Sequence, residues 1–386
     1  MKKALIVLLL LAFVAGGLFA QFSFSGHIDS GLAIGIGDTF VDGSGDSQPK
    51  IGVIGKANGI NGGGRAQLQA SYTNEAKNAG MVLRLRYISP NTDVLVHAAY
   101  GWLKFFDGLL TVNGGKLNAG AVVFSTFDPL TDGASLYDST NGLMAFVKPV
   151  DMFTIGFGAT MPNGNRFNRD NAAGSTPFAK TQGTVVLGVA VPDIMNINAQ
   201  FAFSQQANTA AIPDNRNGNI RAFLSFDVTA IKSLKLQLTM QMFGLQDFKA
   251  AGSMVFSEFF AFNGIKNLGL NLGFQEGITG ADGDDLFFKA WFWATYALAG
   301  GKVVPRLDFL FASGSTGAPG QSLYLPGWYG MATTPSKDRM SLGLLPSVQF
   351  KVGGNNIEVG YGLNAYLGDG WDGADHYIYI NLMTSF

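Results

Sequence analysis

Arg84 and Arg86 lie two residues apart in the segment MVLRLRY, and Arg65 opens a similar stretch nearby. In an extended chain, residues two apart share a face, so both guanidinium groups project to the same side. The opposite side carries Met81, Leu83, Leu85 and Tyr87, all apolar or aromatic. A face with two guanidinium groups beside an apolar face must meet water or hold paired charges. Arg221 and Arg306 are further candidates of the same kind. Opposite charge is available from Asp128, Asp132 and Asp138, all within residues 118–141. Trp291 and Trp293 alternate with Phe288, Ala290, Phe292 and Ala294. If the latter face lipid, the indoles face inward beside Lys289 as a possible stacking surface for sugars. Loop packing or a reversed facing is the plainer and preferred reading of that pair.

Covalent and metal chemistry find little support. The chain has no cysteine, and its histidines, His27, His97 and His376, are too far apart in sequence for a paired metal-ligand spacing. The acidic runs holding Asp282, Asp284 and Asp285, and Asp369, Asp372 and Asp375, do not match the twelve-residue calcium loop with its terminal Glu. There is no nucleophile elbow, phosphate-binding loop or dinucleotide fingerprint. Neither an enzyme nor a cofactor is expected. The chain has 26 Lys+Arg and 27 Asp+Glu. Without Lys2 and Lys3 the balance is 24 against 27, a net charge of −3, which excludes a strongly basic nucleic-acid binder.

The elements that must position these residues are strands. Phe22, Phe24, Ile28, Leu32, Ile34 and Ile36 share one parity, against Ser23, Ser25, His27 and Asp29. The same alternation recurs at 66–72, 81–87, 195–203, 234–242 and 340–351. One face would be costly in water and the other in hydrocarbon, which suits a wall between lipid and water. Short connections carry turn residues, as at Pro149-Val150-Asp151, Pro192-Asp193, Asn263-Gly264 and Gly353–Asn356. Long polar ones intervene at 162–180, 205–218, 313–338 and 368–375. The expected fold is all-β: a transmembrane antiparallel β-barrel with short periplasmic turns and long extracellular loops. From about Leu109 to the end the alternation gives 14 strands. Before it lie five candidates, near 22–36, 50–58, 64–73, 80–88 and 93–105, which makes the total odd. Such barrels are even, so one candidate is wrong or merged, with 50–58 the first suspect; about 18 strands are expected, with 16 the alternative. Residues 1–20 read as a signal peptide, with Lys2 and Lys3 before the apolar run Ala4–Val14 and small residues up to Ala20. Residues 21–386 then form one barrel domain.

Three stretches resemble known proteins. The strand His376–Phe386, HYIYINLMTSF, resembles the closing strand and sorting signal of bacterial outer-membrane β-barrels, departing from it at Asn381 and Thr384. Tyr100–Leu117, YGWLKFFDGLLTVNGGKL, followed by 118–141, resembles general porins where a turn and a Gly-Lys strand precede the loop that folds into the barrel. The stretch VAGGLFAQ is similar to signals of spirochaete outer-membrane proteins. The porin resemblance implies an outer-membrane location, lipid around the barrel and a homotrimer. It implies passive diffusion of small hydrophilic solutes through a water-filled channel. By that likeness Asp128, Asp132 and Asp138 sit on the infolded loop and face a basic wall of Arg65, Arg84, Arg86, Arg221 and Arg306. The alternatives are an adhesin or antigen displayed on a barrel, and a saccharide-specific channel. Tyr100, Trp102, Tyr296 and Tyr361 are expected in interfacial aromatic girdles.

Overall fold

A computed structural model describes residues 22–37, 50–54, 64–88, 94–117, 140–161, 182–204, 220–245, 252–279, 286–314, 339–368 and 373–386. They form nineteen strand segments: β1 (Phe22–Gly37), β2 (Lys50–Ile54), β3 (Arg65–Thr73), β4 (Ala79–Ile88), β5 (Leu95–Phe105), β6 (Leu110–Leu117), β7 (Thr140–Val150), β8 (Phe153–Met161), β9 (Gln182–Val191) and β10 (Met195–Ser204). The series continues through β11 (Ile220–Val228), β12 (Leu234–Phe243), β13 (Ser253–Phe262), β14 (Leu268–Thr279), β15 (Leu286–Tyr296), β16 (Val303–Gly314), β17 (Arg339–Val352), β18 (Asn355–Gly368) and β19 (Gly373–Ser385). From β3 onward each strand pairs antiparallel with the next. The wall closes where β19 pairs with β1 over His27–Ser385 to Gly37–Asp375. Backbone bonds between Gly26 and Phe386, at 3.0 and 3.1 Å, extend that seam. Closure leaves no edge, so the strand N–H and C=O groups are satisfied within the sheet, as hydrocarbon demands.

The nineteen segments make an 18-strand barrel because β2 and β3 share one row. β1 is long enough, at 16 residues, to hold both partners on one edge. Its Phe22–Asp29 half pairs with β3, and its Gly31–Gly35 half pairs with β2. Ile54 stands opposite Gly31 and Arg65 opposite Asp29, so the second segment resumes the row the first one left. The suspect strand near 50–58 is therefore a merged one, and the even count stands.

Parity divides the wall as the residue types require. Leu32, Ile34, Ile378 and Ile380 point outward and are 54, 53, 64 and 49% exposed, whereas inward Ala33, Tyr377 and Tyr379 are almost fully buried. Glu258 and Glu276 depart from this rule: both are exposed on the outward face of β13 and β14 among Phe256, Phe274 and Phe288. The connections β3–β4, β5–β6, β7–β8, β9–β10, β11–β12, β13–β14, β15–β16 and β17–β18 are short turns, all at one end of the barrel. Outward rings gather at that end, with Phe22 4.8 Å from Tyr72, and Phe105, Phe106, Tyr296 and Phe386 exposed. Such rings suit a membrane–water interface. Tyr100 does not join them. It packs inward against a cluster of Leu117, Met144, Val186, Ala202, Phe223 and Phe243, because the β4–β5 register puts it on the face of Arg84.

Candidate functional site

Strands β3 and β4 set a compact basic patch on the inner face. The register places Arg84 opposite Gln69 and Arg86 opposite Gln67. Arg84 reaches the Gln69 Oε1 through Nε and Nη2 at 2.9 and 2.6 Å. Arg86 does the same to the Gln67 Oε1, at 3.1 Å from both nitrogens. Arg65 turns across to β1 and donates from Nε to His27 Nε2 at 3.1 Å. A hydrogen bond from a cation contributes roughly 1.5–3 kcal/mol when shielded, and less for half-exposed groups such as these. Their effect is geometric: neutral glutamine acceptors hold the planar forks of Arg84 and Arg86 in place and so orient their charge.

A second cluster lies on β13 to β16. Trp291 and Trp293 face inward, packed with Leu310, Leu345, Tyr377 and Tyr379, and their ring centroids are 4.1 Å apart. Phe259 stacks on Trp293 at 5.7 Å and 20°. The Trp291 Nε1 donates to Asp308 Oδ1 at 2.9 Å, and Arg306 binds both oxygens of that carboxylate at 2.6 Å. The Arg306 guanidinium also lies 5.9 Å from the Trp291 ring and 5.6 Å from the Trp293 ring. Arg306 is thus a partner of a fully buried Asp308, two residues along the same strand face, and not a member of the basic patch. Of the three rings, Phe259 and Trp291 are buried, and Trp293 keeps part of its surface exposed. Lys235 stands 5.9 Å over Phe259.

Polar chains continue around the inner face. Lys289 donates to Gln275 at 3.1 Å, and Gln275 to Ser257 at 2.9 Å. Tyr379 donates to Glu358 at 3.0 Å, and Gln349 to the other oxygen of Glu358 at 2.9 Å. Asn381 donates to Asp29 at 2.8 Å, tying the closing strand to the first one. Gln237 differs: it is 1% exposed, and neither atom of its amide has a partner. A buried polar group left unpaired costs about 1–3 kcal/mol. Sequence reasoning missed Asp308, Glu358 and Gln237. The parity of β16 would have put Asp308 beside Arg306, whereas the other two depend on which strands adjoin.

Of the expected site residues, Arg65, Arg84 and Arg86 come together, and Trp291 and Trp293 form a pair. Arg221 faces inward on β11, opposite Ala202 and Phe243, on a different stretch of wall. Asp128, Asp132 and Asp138 lie outside the described residues. Among the described residues, no group of three or more His, Asp or Glu could hold a metal ion.

With that geometry in place, the likeness to solved proteins is one of architecture. OccD3 (OpdP) of Pseudomonas aeruginosa superposes with a TM-score of 0.52 at 10% identity, covering 95% of this chain and 91% of that one. OccAB1 of Acinetobacter baumannii gives 0.50 at 9% identity, covering 94% and 97%. The fold is that of the bacterial outer-membrane porins. No family model matches the sequence, and no curated protein does. Residue roles therefore have to be argued from this chain alone.

Proposed function

We propose that the protein is an outer-membrane porin: a water-filled channel through which small hydrophilic solutes diffuse passively, without catalysis or cofactor. The observation that carries this reading is the closed wall, apolar outside and charged and amide-rich inside. Such a wall stabilises an aqueous path through hydrocarbon. In this proposal the short turns are periplasmic, and residues 1–20 are an export signal removed before assembly. Residues 118–141 fold inward, so that Asp128, Asp132 and Asp138 oppose Arg65, Arg84 and Arg86 across the narrowest water. Opposed charges in a low-dielectric channel focus the field and select among solutes. Association into homotrimers belongs to the same proposal.

Planar-bilayer recording of the refolded chain tests it. The expected result is stepwise, long-lived ion conductance without added cofactor. Correctly folded protein that inserts and never conducts would remove the channel from this reading and leave only a scaffold.

A further inference from the structure

We propose that the lumen carries a subsite for neutral saccharides at its short-turn mouth, on β11 to β15, with Trp293 as the stacking surface and Asp227, Lys235, Gln237 and Asn271 as hydroxyl partners. The proposal deepens the porin reading and rests on it for the route by which a sugar arrives. A recess of about 470 Å³ opens among the β11–β12 and β13–β14 turns, lined in part by Asp227, Ser233, Lys235, Asn263 and Asn271. The aromatic stack begins where that recess ends. Asn271 is the direct cross-strand partner of Trp293, and Lys235 approaches the Phe259 ring that stacks on it.

Gln237 supplies the second, independent sign of a ligand. In the register it stands between Asp227 and Phe259, on the same inward face as Lys235. It is almost wholly buried, yet both its amide nitrogen and its oxygen lack a partner. Ser225, two residues before Asp227 on the same face, is fully buried and its hydroxyl is unpaired too. Buried polar groups normally find partners, so an amide and a hydroxyl left open in one place mark a position prepared for a guest.

The chemical class follows from the mixture. The recess offers the Asp227 carboxylate, the Lys232 and Lys235 ammonium groups and the amides of Asn263 and Asn271 together, so both signs of charge stand beside neutral amides, unlike the patch at Arg65, Arg84 and Arg86. Amides and carboxylates suit the donor-and-acceptor hydroxyls of a sugar, whose C–H face packs on an indole. Arg306 and Asp308 fix Trp291 from behind, and Trp291 in turn backs Trp293. A few polar groups converging beside aromatic rings is the usual make-up of a small-molecule site.

The test uses the refolded full chain in two measurements, with maltohexaose as probe. In planar bilayers, sugar added on the short-turn side is expected to interrupt the current in a concentration-dependent way. Trp293→Ala and Gln237→Ala are each expected to weaken that block roughly tenfold or more, equivalent to about 1.4 kcal/mol. Trp293→Phe keeps a ring and should retain most of the block. In detergent, maltohexaose should change the tryptophan emission of the wild-type chain, and that change should vanish in Trp293→Phe. If Gln237→Ala fails to assemble, Asn271→Ala reads the same site. A conducting channel indifferent to the sugar in both measurements refutes the subsite and leaves the porin reading intact. A block unaltered by Trp293→Ala and Gln237→Ala refutes its location. If the chain does not conduct at all, the porin reading falls, and the emission titration still decides whether the sugar binds.

Discussion

Arg84 and Arg86 each hydrogen-bond to a neutral glutamine oxygen, whereas Arg306 forms an ion pair with the buried Asp308. This difference predicts different outcomes for the same substitution. Arg84→Ala combined with Arg86→Ala should shift the reversal potential in a salt gradient towards cation preference, changing the permeability ratio several-fold. Arg306→Ala should instead act on stability, because it leaves a buried carboxylate unpaired, at a cost of about 3–5 kcal/mol. Thermal unfolding in detergent checks the second and bilayer recording the first. The facing of Arg84 and Arg86 was legible because period two is a local property. The pairing of Arg306 was equally local, in the sequence RLD, but a charge count along the chain does not reveal which cation a carboxylate takes. For Gln237 no local signal exists, since its isolation depends on Asp227 and Phe259 arriving from neighbouring strands.

At the level of elements, the seam between β1 and its partners is the most constrained stretch of wall. Gly31 lies where β1 changes partner from β3 to β2, and a Cβ there would collide with the backbone oxygen of Ile380. Backbone cannot step aside as a flexible side chain can. Gly31→Ala should therefore destabilise the barrel by about 1–3 kcal/mol or more, the usual range for overpacking. The readout is a lower temperature for conversion of the compact to the unfolded form in detergent. An unchanged conversion temperature would mean that the seam is looser than this geometry. The alternation exposed an odd number of candidate strands, and that parity argument pointed to 50–58. It could not say that the segment joins the row of β3, because the register of β1 with two partners is a long-range property.

For the molecule as a whole, the outer surface reports on its solvent as clearly as the inner one. Among the described residues its apolar belt is interrupted at sites such as Glu258 and Glu276, which are diagonal neighbours on β13 and β14. A carboxylate facing lipid is destabilising in a depth-dependent way, though less so than Arg or Lys. Glu258→Leu should therefore stabilise the barrel in bilayers by up to about 2 kcal/mol, with conductance unaltered. A loss of stability, measured by urea titration in vesicles, would contradict a lipid-facing Glu258. The belt itself was readable from sequence, since one parity is apolar almost throughout. The composite row has a further consequence. One segment of that row ends at Ile54 and the next begins at Arg65, with inner and outer faces in step across the two. A row assembled from two segments uncouples the length of the polypeptide from the circumference of the wall. Residues can be gained or lost between the two segments over evolutionary time, and the barrel keeps its strand number as long as the chain returns in phase.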